Sequence, residues 1–129
     1  MKQFTFIFFI VATAFNALAQ TTTETKNHLV TPISHGYLYE KSCINQWRVT
    51  FENKTQQTIT SITFKLNITN KESGEIVYQE THTVNYTLKA GEKAASPYFD
   101  LLEPVCMDYG RITKFFEYYG RTAQVTDFK

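Results

Sequence analysis

The sequence predicts an all-β fold, an antiparallel β-sandwich of about six to eight strands. Extended segments rich in Thr, aromatic and β-branched residues alternate apolar with polar positions, as half-buried strands do. Turn-forming Gly, Asn, Ser and Pro separate these segments at short intervals, and helical periodicity is almost absent. We therefore expect residues 28–129 to form a single β-sandwich domain.

The two clearest strands cover residues 46–52 and 58–69. Each places large apolar side chains at every second position, so that one face of the strand is apolar. Ile59 is out of phase with its own strand, which indicates either a bulge after Ile59 or a side chain that covers the outer face near an edge. The predicted core anchors are Trp47, Val49, Phe51, Ile62, Phe64 and Leu66.

The remaining segments predict shorter or less regular strands. Pro32 and Pro97 favour edge positions, because proline cannot donate to a central ladder. A long segment after Gly74 should bend or switch between sheets near residues 80–82. Helix and strand compete in residues 111–119, where the density of β-branched and aromatic residues favours strand. These further strands are expected at residues 28–33, 37–39, 75–88, 94–101 and 122–128.

The N-terminus has the pattern of an export signal. Lys2 supplies a positive charge, residues 4–15 are mostly apolar, and cleavage is expected after Ala19. The apolar run of about a dozen residues is shorter than the roughly 20 that span a bilayer, so we expect no transmembrane anchor. We predict a signal peptide at residues 1–19, a flexible leader at residues 20–27, and a secreted or periplasmic protein.

The only two cysteines, Cys43 and Cys106, are predicted to form a disulfide, because exported proteins with an even cysteine count usually pair them. The predicted sandwich is immunoglobulin-like in shape. Trp47 follows Cys43 too closely for the antibody-type arrangement of Cys, Trp and Cys. We therefore expect a disulfide that does not join the two sheets.

Composition argues against several classes of function. The formal net charge is +1 and the basic residues are scattered singly, so no nucleic-acid partner is expected. The three histidines, His28, His35 and His82, lie in separate segments without the paired spacing of a zinc motif, so no metal site and no cofactor are expected. Neither a nucleophile elbow nor a phosphate-binding glycine loop occurs, which favours a protein that is not an enzyme.

Three tripeptides, beginning at Asn53, Asn67 and Asn85, fit the acceptor pattern for N-glycosylation. A composition rich in Thr produces such tripeptides by chance. In a eukaryotic host, Asn53 in its predicted turn would be the expected acceptor.

Four short stretches carry a resemblance to a known family. Asn53-Lys54-Thr55 is followed in order by residues 59–66, by Ser73-Gly74-Glu75-Ile76-Val77 and by Leu88-Lys89-Ala90-Gly91-Glu92. Over about residues 47–99 this order resembles small bacterial immunoglobulin-like modules of the FxLYD type. The resemblance implies an accessory or binding domain, and it implies no catalytic residues.

Aromatic residues crowd the C-terminal part of the chain. Tyr109, Tyr118 and Tyr119 are the candidate partner surface, because exposed tyrosine offers a large contact area with a polar tip. In the alternative interpretation these rings fill the core.

We therefore expect an exported, non-catalytic immunoglobulin-like binding or accessory module that contacts a protein or a glycan. An alternative hypothesis is an assembly protein that self-associates through its edge strands. A third is a small exported hydrolase that uses His82 with Glu80, two residues on one strand face.

Overall fold

The computed structural model describes residues 25–129, which form two antiparallel β-sheets around one core. The predicted all-β sandwich is confirmed. The predicted signal peptide and residues 20–24 of the predicted leader lie outside the described residues. The strands are β1 (Val30–Glu40), β2 (Cys43–Asn53), β3 (Ile59–Asn70), β4 (Ile76–Leu88), β5 (Lys93–Ala95), β6 (Phe99–Cys106) and β7 (Tyr119–Phe128), and the helices are α1 (Tyr109–Ile112) and α2 (Phe115–Tyr118).

Strands β2 and β3 are the centres of the two sheets. In the first sheet β2 pairs with β1 on one side and with β5 and β6 on the other, and in the second sheet β3 lies between β4 and β7. Central strands bury one whole face, which explains their strict alternation. The six residues predicted as core anchors all lie on β2 and β3 and are fully buried: Trp47, Val49, Phe51, Ile62, Phe64 and Leu66.

A bulge explains the phase of Ile59. The register between β3 and β4 shifts between Ile59 and Ser61, and this shift turns the Ile59 side chain into the core, where it is buried. Of the two explanations that the sequence allows, the structure therefore has the bulge.

The bend expected near residues 80–82 does not occur in β4. Thr81 and His82 pair with β3 without interruption, so β4 remains in one sheet throughout. The polar residues at core-facing positions are tolerated because β4 is an edge strand, where Glu80 remains exposed to solvent.

Other predicted boundaries also differ. The two short N-terminal strands are one strand, β1, whose register shifts between Pro32 and Ser34. The strand predicted at residues 94–101 is divided into β5 and β6, because the Val49 N–H bonds the Ser96 hydroxyl instead of a backbone carbonyl and Pro97 has no N–H to donate. Strand β6 continues to Cys106, beyond the predicted strand end at residue 101.

The end of the predicted leader belongs to the folded domain. The Lys26 N–H donates to the Val125 carbonyl at 2.6 Å. The Asn27 side chain donates to the Ala123 carbonyl and accepts from the Val125 N–H. These bonds fix residues 26–27 along β7, so the prediction of a flexible leader through residue 27 is wrong for these two residues.

Two short helices, α1 and α2, lie within residues 109–118, and the preference for strand at residues 111–119 is wrong up to Tyr118. Ile112 and Phe115 are fully buried, and Tyr119 at the start of β7 is also buried. Ile112 and Phe115 are three positions apart, so extended backbone would turn them to opposite faces, whereas helical turns bring both to the core. Packing against the core therefore outweighs the local preference of aromatic residues for strands.

Asn53 is a structural residue rather than a surface acceptor for a glycan. It is fully buried, and its side-chain amide donates to the carbonyls of Gln57 and Leu88. Its Oδ1 accepts from the backbone and the hydroxyl of Thr55. In the folded protein this side chain has no access to a modifying enzyme.

Within residues 25–129, none of the helices combines the length and the apolar character that crossing a membrane requires.

Candidate binding surface

A disulfide fixes one end of the sandwich. Cys43 and Cys106 form a bond of 2.05 Å between neighbouring positions of β2 and β6. The bridge therefore lies within one sheet and does not join the two sheets, as the sequence predicts. Glu40 at the end of β1 pairs with Cys43, and α1 begins shortly after Cys106, so the bridge also holds the strand ends around it in place.

The three tyrosines predicted as a partner surface lie in different environments. Tyr109 is 63% exposed and Tyr118 is 39% exposed. Tyr119 is only 7% exposed and stacks on Phe115, with ring centroids 4.7 Å apart. Tyr119 is therefore a core residue, and its assignment to the partner surface is wrong.

Tyr39 is the surface residue that sequence reasoning missed. It is 39% exposed, and its ring lies edge-on to that of Tyr109 with centroids 6.4 Å apart. We call Tyr39 and Tyr109 the tyrosine patch. In the sequence, Tyr39 shortly precedes Cys43 and Tyr109 shortly follows Cys106, so the predicted disulfide was the one signal that these two tyrosines lie near each other.

The tyrosine patch is built on a rigid base. The ring of Tyr37 lies 6.3 Å from that of Tyr39 and 5.2 Å from that of the buried Phe115. Its hydroxyl donates to the Ile112 carbonyl at 2.9 Å, which ties β1 to α1. Hydrogen bonding with Tyr109, and then charge repulsion from it, raise the pKa of Tyr39, so its hydroxyl remains neutral.

Tyr118 lies in a separate pocket of about 370 Å³. The guanidinium of Arg111 lies over its ring, 5.0 Å from the centroid. This pocket mixes both signs of charge with one aromatic ring. Its lining residues are Asn70, Lys71, Glu72, Arg111, Glu117 and Tyr118.

A partly buried hydrogen bond joins β1 to the central tryptophan. The Trp47 Nε1–H donates to His35 Nδ1 at 3.0 Å. Because Nδ1 accepts this bond, the neutral imidazole carries its hydrogen on Nε2. Burial, followed by the charge of Arg121, lowers the pKa of His35 to about 4. The sequence indicates no partner for His35, since the contact depends on the pairing of β1 with β2.

The environment of His35 predicts that the protein loses stability as the pH falls. The pKa of His35 is 6.5 in the unfolded chain and about 4 in the folded protein. Between these values the unfolded state binds more protons, so the free energy of unfolding falls as the pH drops from 6.5 to 4, by up to about 3 kcal/mol. Urea denaturation measured across this pH range should show that the free energy of unfolding varies less with pH in His35→Gln than in the wild type. The exposed His28→Gln should follow the wild type, and identical curves for wild type and His35→Gln would contradict the assignment.

A cleft of about 440 Å³ lies between β1 and β7. The Arg121 guanidinium at its wall rests 3.9 Å above the centroid of the Phe116 ring, which holds it in place. No Asp or Glu is among the lining residues, which are Asn27, Thr31, Pro32, Ile33, Ser34, His35, Arg121, Thr122 and Ala123.

The geometry around His82 bears on the hydrolase hypothesis. Its Nε2 lies 2.9 Å from the Tyr78 hydroxyl, whose oxygen accepts from the Leu102 N–H. Burial lowers the pKa of His82, and the nearby Glu80 partly offsets this effect. One of the two imidazole nitrogens is therefore hydrogen-bonded to a tyrosine that also holds the backbone of β6. In the described part of the chain, no group of three or more His, Cys, Asp or Glu side chains could hold a metal ion.

The described surface thus offers a rigid tyrosine patch, a charged pocket at Tyr118 and a cationic cleft between β1 and β7.

Comparisons of the chain with protein-family models, with curated proteins and with solved structures found no match.

Proposed function

We propose that this protein is an exported, non-catalytic binding module that contacts a protein or a glycan through the tyrosine patch. The observation that carries the proposal is the exposure of Tyr39 and Tyr109 side by side, next to the disulfide. Large apolar side chains exposed together at one place often mark an interaction site.

Rigidity supports this proposal. Tyrosine loses little conformational entropy on binding and offers both an apolar ring and a hydroxyl. The Tyr37 ring lies beside that of Tyr39, and the bridge from Cys43 to Cys106 restrains the chain segments that carry Tyr39 and Tyr109. A surface that is ordered before binding costs less to engage than one that must be ordered by the partner.

Two features of the sequence support export. The predicted signal peptide covers residues 1–19, and intramolecular disulfides persist mainly in oxidising compartments. The resemblance of residues 47–99 to FxLYD-type modules favours an accessory role in binding.

The test compares tyrosines that differ only in location. Tyr39→Ala/Tyr109→Ala should reduce capture of partners from a native envelope extract, or binding to a glycan array, at least about tenfold. Its free energy of unfolding should remain within about 1 kcal/mol of the wild type, because both side chains are surface residues.

Tyr118→Ala is the matched control and should retain capture, since Tyr118 lies in a separate pocket. If the double variant captures the same partners with unchanged affinity, the tyrosine patch is not the binding site.

A further inference from the structure

The cleft between β1 and β7 is bordered by two edge strands. Strand β1 pairs only with β2, and β7 pairs only with β3, so each has one side without a neighbouring strand in the described chain. Edge strands present peptide groups that can bond an additional strand. The described structure contains no strand between them.

Residues 26–27 show how the edge of β7 accepts hydrogen bonds. Lys26 bonds Val125 through its backbone, and the side-chain amide of Asn27 bonds both Val125 and Ala123. An Asn side chain carries the same donor and acceptor groups as a peptide unit. One end of this edge is therefore already occupied by a short substitute for a strand.

The next peptide group along this edge belongs to Arg121. In an antiparallel ladder, alternate residues direct their N–H and C=O groups to the same side. Val125 and Ala123 direct theirs away from β3, so Arg121 does the same, toward the cleft. The edge of β7 can therefore continue a ladder beyond the point where Asn27 ends.

The facing strand, β1, is less suited to pairing. Pro32 has no N–H to donate, and the register shift between Pro32 and Ser34 disrupts the ladder. Ile33, which lies at this irregularity, is 48% exposed and lines the cleft. Strand β1 thus contributes apolar side-chain contact, whereas β7 contributes peptide hydrogen bonds.

The charge of the cleft selects its ligand. Arg121 is held against Phe116, and no carboxylate lines the cleft. The neutral His35 carries a hydrogen on Nε2 and lines the same cleft, which adds a neutral donor. Guanidinium groups held in place in this way favour carboxylates.

We propose that this cleft binds an extended acidic segment of a partner protein, which adds to the edge of β7 as a strand. A carboxylate of the segment pairs with Arg121, and an apolar side chain covers Ile33. This inference rests on the proposed function as a binding module, and it identifies the partner as a protein rather than a glycan.

The test uses random octapeptides displayed on phage and selected on the mature protein. The expected binders are enriched in Asp and Glu alternating with apolar residues, and their affinity falls at least about tenfold in Arg121→Gln. The matched control is Arg48→Gln, because Arg48 also lies over an aromatic ring, that of Tyr98, but outside the cleft. Binding should also slow hydrogen exchange at the Arg121 amide, which a contact through side chains alone would not do.

Several outcomes overturn the inference. These are failure to select any binder, binders without acidic enrichment, or affinity that is unchanged in Arg121→Gln. Binders that depend on Tyr39 and Tyr109 but not on Arg121 would refute the cleft and leave the tyrosine patch in place. A concentration-dependent dimer in light scattering that Arg121→Gln abolishes would identify a second copy of this chain as the occupant, and would refute a separate partner.

Discussion

Removal of the disulfide in the Cys43→Ala/Cys106→Ala variant should lower the free energy of unfolding by about 4 kcal/mol. The bridge joins residues that are 63 positions apart, so it closes a loop that includes most of the described strands. In the loop-entropy model, the loss of this constraint stabilises the unfolded chain by roughly that amount. Because small domains have a total stability of about 5–15 kcal/mol, this is a large share.

Urea denaturation of the oxidised wild type and of the double variant measures this difference. Wild type treated with a reducing agent should behave as the variant does, and the variant itself should not respond to reduction. A difference below about 1 kcal/mol would mean that strand pairing between β2 and β6 alone restrains this end of the sandwich.

Substitution of Phe115 by Ala should destabilise the protein by about 3–5 kcal/mol. Phe115 is fully buried, stacks on Tyr119 and packs against Tyr37 and Trp47. Its removal leaves a cavity among aromatic rings that are held from both sheets, so the surroundings collapse only in part. Thermal or urea denaturation measures the loss.

The neighbouring Phe116→Ala is the matched control for this prediction. Phe116 is only partly buried: its ring lies edge-on to those of Tyr37 and Trp47, and the Arg121 guanidinium lies over it. We expect its substitution to cost less than half as much stability and to weaken acidic peptide binding in the cleft. Equal losses for the two variants would contradict the placement of Phe115 as the buried member of the pair.

The central strands were predictable because each buries one face completely. The strand predicted at residues 46–52 lies within β2, and residues 58–69 nearly coincide with β3. Alternation of apolar and polar residues is sufficient in such strands. The disulfide was predictable for a different reason, since the chain has only two cysteines and the predicted export signal favours their pairing.

The two short helices were not predictable from local sequence. Each has four residues, too few for helical periodicity to outweigh aromatic residues that prefer strands. Their backbone is determined by the packing of Ile112 and Phe115 into the core. Because this error also placed Tyr119 at the surface, the assignment of the partner surface was wrong at that residue.

The missed site residues depend on contacts between distant parts of the chain. His35 is important because it reaches Trp47 across the pairing of β1 with β2, and Tyr39 because it meets Tyr109 at the far end of β1. Composition and spacing contain no information on register. The register of β1 against β2 depends on the irregularity between Pro32 and Ser34, and it can be determined only when that irregularity is known.

The arrangement of Asn27 on β7 also affects solubility. Exposed strand edges are places where copies of a protein stack into aggregates. The Lys26 backbone N–H and the Asn27 side chain cover the edge around Val125, and the adjoining part of the edge has the positive charge of Arg121. Two copies that approach through this edge would bring like charges together, so the same edge resists polymerisation and remains accessible to a segment of opposite charge.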